Sequence, residues 1–203
     1  MKKLMLWMGV VLLVTSPAMA NAVTGVTTSQ CWDFDQQASQ YGILPSQSDN
    51  VFGQPVAMIQ DMSGGTLGWS DGVWSGSEFK IILDIPNQPI ANPYKLLTIN
   101  LKYQGDISFM WIADIDTGSL FSPVANPILG EDGNWKTFTQ QWRFDPNPRE
   151  EIVVIGFNGT QEVTGAPITA ALDQICIDTI CVPEPATLAL LGLGGLWLRK
   201  RRL

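Results

Sequence analysis

"EFKIILDI", residues 78–85, decides the fold. In an extended chain Phe79, Ile81, Leu83 and Ile85 share one face, while Lys80 and Asp84 share the other. Strict alternation of this kind is the period of a half-buried strand and is incompatible with a helical stripe. The same period recurs outward in both directions. "LTINLKY" alternates Leu97, Ile99, Leu101 and Tyr103 with Thr98, Asn100 and Lys102. "ISFMWIADI" sets Phe109, Trp111 and Ala113 on one side, and "WKTFTQQWRF" offers Phe138, Trp142 and Phe144. "EIVVIGF" and "ITAALDQICI" are apolar enough for central strands.

Gly, Pro, Asn and Asp punctuate these runs. "QPIANP" and "DPNPREE" read as loops, because proline cannot donate to a sheet ladder. Gln37 to Asn50 is polar and reads as a long surface loop. No stretch of the middle gives an amphipathic helix of three turns, and there is no internal repeat or second domain. Many short strands with turn signals between them predict an all-β fold, a single β-sandwich or barrel. Trp111 and Trp142 alternate like core residues and are expected inside.

The two ends differ from the middle. Lys2 and Lys3, the apolar run Leu4–Val14 and the small-x-small site Ala18-Met19-Ala20 have the form of a secretory signal peptide over residues 1–22. Residues 23–181 are then the exported domain. The chain carries a net −7, and half of its 12 basic residues lie at the two ends. Removing both ends leaves six basic and 18 acidic residues, a net of −12. Such a surface repels nucleic acid and anionic membranes, and suits divalent cations or neutral sugars.

The C-terminus, residues 182–203, has three ordered parts: Pro183-Glu184-Pro185, an uncharged apolar run over 186–198, and the cluster Arg199, Lys200, Arg201 and Arg202. The prolines deny a helix across Glu184 and hold its carboxylate on an extended peptide. The apolar run is short for a span, since thirteen helical residues reach only about 20 Å, but flanking arginines can snorkel. The basic end keeps the terminus cytoplasmic. These three parts resemble the PEP-CTERM sorting signal. The resemblance implies recognition by an exosortase, a membrane transpeptidase-like protease of Gram-negative bacteria. It also implies passage through the inner membrane as an anchored precursor, and a destination at the cell surface or in an extracellular polysaccharide or biofilm matrix.

The middle domain resembles, over a few residues, jelly-roll carbohydrate-binding modules: "CWDFD" opens it and "ALDQICID" closes it. That resemblance implies first and last strands lying close together, and a structural calcium with Asp33 or Asp35 and Asp173 as candidate ligands. The three cysteines allow at most one intramolecular disulfide. Cys176 and Cys181 are one candidate pair, closing a small loop. The other candidate has Cys31 on a first strand reaching a last strand.

Chemistry is sparse. The chain has no His, which removes Ser-His-Asp and Cys-His constellations, and no Cys-x-x-Cys for zinc. Acids are plentiful, so a carboxylate pair for a small extracellular polysaccharide hydrolase or lyase is the catalytic alternative; Glu78, Glu131, Glu150, Glu151 and Glu162 sit in no motif. The leading expectation is a non-catalytic binding or structural module with no catalytic residue. Its candidate glycan platform is the Gly/Ser-rich "GWSDGVWSG", where Trp69 and Trp74 offer planes and Asp71 an acceptor.

Overall fold

The computed structural model describes residues 26–35, 39–87, 94–159 and 169–182. Thirteen strands follow one another there: β1 (Val26–Trp32), β2 (Gln47–Ser48), β3 (Val56–Asp61), β4 (Gly68–Ser70), β5 (Val73–Gly76), β6 (Glu78–Pro86), β7 (Tyr94–Gln104), β8 (Asp106–Asp114), β9 (Leu120–Phe121), β10 (Ile128–Asp132), β11 (Trp135–Phe144), β12 (Glu150–Asn158) and β13 (Ala170–Val182). No helix occurs among the described residues. The expected signal peptide and the C-terminal apolar run lie outside them.

The strands form two antiparallel sheets, one running β10-β11-β7-β13-β1-β2 and the other β3-β6-β12-β8-β9. The hairpin β4–β5 joins the first sheet where β5 pairs with the start of β13, at Ala170–Leu172. β1 takes the rest of that edge, from Trp32 opposite Ile175 to Val26 opposite Cys181. The first and last strands are therefore neighbours. β12 and β13, the two most apolar runs, are interior strands of their sheets, as their composition predicts.

The sheets face each other across one core. Phe79, Ile81, Leu83 and Ile85 of β6 are fully buried, as are Leu97 and Ile99 of β7, and Trp142 is 2% exposed. Phe79 stacks on Phe157 at 5.1 Å between ring centroids, and Phe121 meets Phe144 edge-on at 4.3 Å. The polar stretch before Asn50 is less of a free loop than its composition suggests. Ile43 bridges to Ala57 and is buried, and its carbonyl accepts a 3.1 Å bond from Trp32 Nε1.

β8 departs from expectation. Phe109, Trp111 and Ala113 do share a face, but it is the outer one, and Ile112 takes the core position opposite Val153. Trp111 is 39% exposed. The cause is a bulge: Phe157 pairs with Ile107 and Gly156 with Phe109, so Ser108 is the extra residue that shifts the phase of the strand. Both faces of β8 are apolar, so alternation alone does not say which one is inside.

The disulfide joins Cys31 to Cys176, which stand directly opposite each other on β1 and β13; Cys181 is a buried free thiol. The pair Cys176–Cys181 is thereby corrected. Both lie on one continuous strand, five residues or about 17 Å apart, beyond the roughly 7 Å that a disulfide tolerates between Cα atoms. The Cys31–Cys176 bond closes a sequence separation of 145 residues. Removing it should lower the unfolding free energy by on the order of 3–5 kcal/mol. Accordingly, Cys31→Ser should shift the denaturation midpoint to markedly lower denaturant. The wild-type chain, denatured without reductant, should titrate with a single thiol. Recovery of a Cys176–Cys181 peptide from a non-reducing digest would contradict the pairing.

Candidate functional site

The tryptophan platform expected between Gly68 and Gly76 is not a loop. Asp71 (φ 50°) and Gly72 (φ 80°) form a two-residue hairpin turn of the type that needs positive φ at both positions. Gly72 is further constrained, since a Cβ there would lie 2.5 Å from Asp35 Oδ1. Trp69 and Trp74 pair across β4 and β5. Trp74 is 1% exposed and belongs to the core. Trp69 is half-buried against that core and donates Nε1–H to the Phe34 carbonyl at 3.0 Å. Neither ring is presented as an open plane. The signal that identifies this hairpin is the Asp-Gly dipeptide between two alternating segments.

Two of the three candidate calcium ligands have protein partners. Asp33 Oδ1 accepts the Asp35 backbone N–H at 3.3 Å, a turn-forming contact. Asp173 is the bulge residue of β13 and forms a 2.8 Å ion pair with Lys102. That partner raises the Lys102 pKa, mainly through the hydrogen bond to Asp173. Among the described residues no group of three or more His, Cys, Asp or Glu side chains is arranged to hold a metal ion.

The open aromatic surface lies instead on the outer face of the five-stranded sheet. One row there reads Met58, Ile82, Val154 and Trp111 across β3, β6, β12 and β8. The next reads Asp84, Ile152, Ala113 and Leu120, ending on β9. Phe109 sits over Gly156, where a Cβ would meet its ring at 2.3 Å; only glycine lets the ring lie against the sheet. Trp111 stands two residues on, about 7 Å along the same strand. Trp111, Ala113, Ile115, Leu120 and Ile152 line an open cleft of about 490 Å³, walled by Asp114 and Gly118 of the β8–β9 turn. Asp114 is occupied within that turn: it accepts from the Asp116 N–H at 2.9 Å and the Thr117 hydroxyl at 2.8 Å, which fixes the placement of Ile115 and Leu120.

At the edge of this face two carboxyl groups meet. Glu150 is pushed up to about 7, first by a side-chain hydrogen bond with Asp84, then by burial and by the Asp84 charge, against a smaller opposing pull from Arg149. The Oδ1 atom of Asp84 is buried without a hydrogen-bond partner, so charge there is poorly solvated. Glu150 thus keeps its proton up to near neutrality. The sequence lists Glu150 only as one acid among many. What singles it out is the register that sets Ile152 opposite Asp84 on the neighbouring strand.

An exported β-sandwich with one open aromatic sheet face is the class that these features define. Its C-terminal residues 182–202 match the family model described as the PEP-CTERM protein-sorting motif. No curated protein and no solved structure matched the chain. The motif is the recognition signal of exosortase, and it implies export and a cell-surface or extracellular destination in a Gram-negative bacterium. β13 ends at Val182, the first residue of the match, so the motif follows the last strand without a spacer. Pro183, Glu184, Pro185 and the basic cluster lie outside the described residues. Among those residues no helix is long and apolar enough to cross a membrane.

The carboxyl pair sets a pH dependence. Below about 4.5 Glu150 is protonated both folded and unfolded. Between about 4.5 and about 7 only the folded chain keeps the proton. Stability from this group is therefore full at the acid end, falls as pH rises through that window, and levels off above it. The wild-type melting temperature minus that of Asp84→Asn should decline from pH 5 to pH 8, on the order of this window. A pH-independent difference would mean that Asp84 does not raise the Glu150 pKa.

Proposed function

We propose that the exported domain is a non-catalytic binding module of the cell surface or extracellular matrix, and that it takes a neutral polysaccharide on the outer face of the five-stranded sheet. The observation that carries this reading is the placement of Phe109 and Trp111 on the outer face of β8, with Asp84 and Glu150 on β6 and β12 further along the same face. A sugar ring has an apolar face and a polar rim. Aromatic planes take the first, and carboxyl oxygens take the hydroxyls of the second. The net −12 of the domain disfavours anionic polymers and leaves neutral ones. The exosortase-type tail supports this setting, since the resemblance ties such tails to polysaccharide matrix and to a membrane-anchored precursor.

The alternative, a small polysaccharide hydrolase or lyase, draws on the same carboxyl pair. Glu150, with its pKa about 7, has the tuning of a general acid. Its neighbour argues otherwise. Asp84 is close enough to raise the Glu150 pKa through a side-chain hydrogen bond, whereas glycosidase pairs stand about 5 Å apart when retaining and about 6.5–9.5 Å when inverting. The pair is better suited to gripping hydroxyls than to flanking a scissile bond.

An exposed ring contact contributes on the order of 1 kcal/mol, so affinity per domain should be modest and should gain from many copies on a surface. Trp111→Ala should abolish retardation in affinity gels containing neutral polysaccharides, with little change in thermal unfolding, and no new reducing ends should appear with the wild type. Retardation unchanged by Trp111→Ala would remove the site. New reducing ends that vanish with Glu150→Gln would establish the hydrolase instead. Glu184→Ala tests the sorting half separately. The domain should remain folded while unprocessed, membrane-retained protein accumulates, and normal release of this variant would remove Pro-Glu-Pro as the signal.

A further inference from the structure

Apart from Gln30 and the hydrogen-bonded Thr28 and Thr179, the buried polar and charged side chains among the described residues gather at one end of the sandwich, where a charged pair lies inside the core. Lys95 of β7 and Glu151 of β12 are both fully buried, and Lys95 Nζ donates to Glu151 Oε1, joining the two sheets through the interior. Cys181 stands directly opposite Lys95 in the β7–β13 ladder. Its thiol donates to Asn87 Oδ1 at 3.5 Å. Asn87 follows β6 on the face that carries Ile85, and Ile85 is paired with Glu151. The Asn87 carboxamide is 5% exposed as a residue, and its Nδ2 donates to Asn147 Oδ1 at 2.6 Å and to the Pro148 carbonyl at 2.5 Å. An amine, a carboxylate and a carboxamide thus share one buried layer, with the other carboxylate oxygen, Glu151 Oε2, buried and without a partner.

We propose that Lys95 and Asn87 condense into a buried intramolecular amide, with Glu151 carrying the proton. The chemistry needs no oxidant and no cofactor. Lys95 Nζ, having given a proton to Glu151, attacks Asn87 Cγ and forms a C–N bond. The bond from Cγ to Nδ2 then breaks. Glu151 returns its proton to the departing nitrogen, which leaves as ammonia, and then takes up the proton that the attacking nitrogen sheds, so that Glu151 ends protonated. Burial makes the first step accessible. Desolvation favours the protonated form of a buried carboxyl group, the form in which Glu151 carries the proton. Burial is also the leading cause of the raised pKa of Glu151, against the opposing pull of Lys95. The two bonds at Nδ2 hold the leaving group, and the Cys181 thiol, kept protonated by burial, faces the carbonyl oxygen that gains charge during attack. The product pins the end of β6 in one sheet to the start of β7 in the other.

The experiment is an intact-mass measurement on the full chain, denatured and reduced. The folded wild type should be lighter by one ammonia than its sequence mass, and a protease that cuts between residues 87 and 95 should release two peptides joined through Lys95 and Asn87. Glu151→Gln should retain the ammonia. If that variant does not fold, a time course replaces it: the denatured wild-type chain, freshly made, should have full mass and lose ammonia only after refolding. Full mass in folded, aged wild-type protein overturns the proposal. So does an ammonia loss that hydroxylamine reverses, which would mark a thioester from Cys181, or one that maps to a cyclised asparagine with Lys95 unmodified.

Discussion

The pairing of the first strand with the last is the constraint on which the other features depend. β13 lies between β1 and β7 and also receives β5, so a single strand ladders to three others. It cannot be placed until almost the whole chain exists. Its contacts are among the most distant in sequence, which favours slow folding and makes a covalent clasp useful. Cys31–Cys176 is that clasp, set across the same ladder. β13, an interior strand, ends at Val182, the first residue of the sorting motif, so the last structural element of the domain and the tail are directly joined in the chain.

The second constraint is the division of apolar residues between the two faces of one sheet. Sheets in a sandwich ordinarily alternate apolar in and polar out. In the five-stranded sheet Met58, Ile82, Ile152, Val154, Phe109 and Trp111 lie on the outside, in addition to a complete inner face. Gly156 is the enabling residue on β12, and the Ser108 bulge the enabling irregularity on β8. Trp111 is 39% exposed whereas Val154 is 3% exposed, so the water-facing apolar area is centred on Trp111 and, towards β9, on Ile115 and Leu120; apolar area facing water carries a free-energy cost that core packing does not require. The Asp84–Glu150 pair at its edge adds stability only at acid pH, where Glu150 is protonated.

The buried Lys95–Glu151 pair follows different logic. Charges inside a core are costly to desolvate, and a well-packed apolar pair of equal volume would be at least as stable. Their position at the end of the sandwich, with Asn87, Asn147 and Cys181 around them, ties the β6–β7 and β11–β12 connections to the interior strands. Polar groups in such a layer favour one arrangement of the sheets over its slipped alternatives, because any slip leaves a charge unpaired.

Much of this protein is legible in the sequence. Alternation in Phe79–Ile85 and in Leu97–Tyr103 is a local, covalent property, so strand identity, the all-β class and the inward residues of β6 and β7 follow directly. The tripartite tail is equally local and needs no fold to be recognised. What the sequence left open depends on pairings between distant segments. Either Cys31 or Cys181 could partner Cys176 until the β1–β13 register put the first opposite it. Trp74 and Trp111 exchange their expected places, the first buried by a two-residue turn and the second turned outward by one extra residue in β8. Asp84 and Glu150 are 66 positions apart in number, and only strand register brings them together. Period is written along the chain; which face meets the core, and which side chains meet each other, is decided by how the strands align.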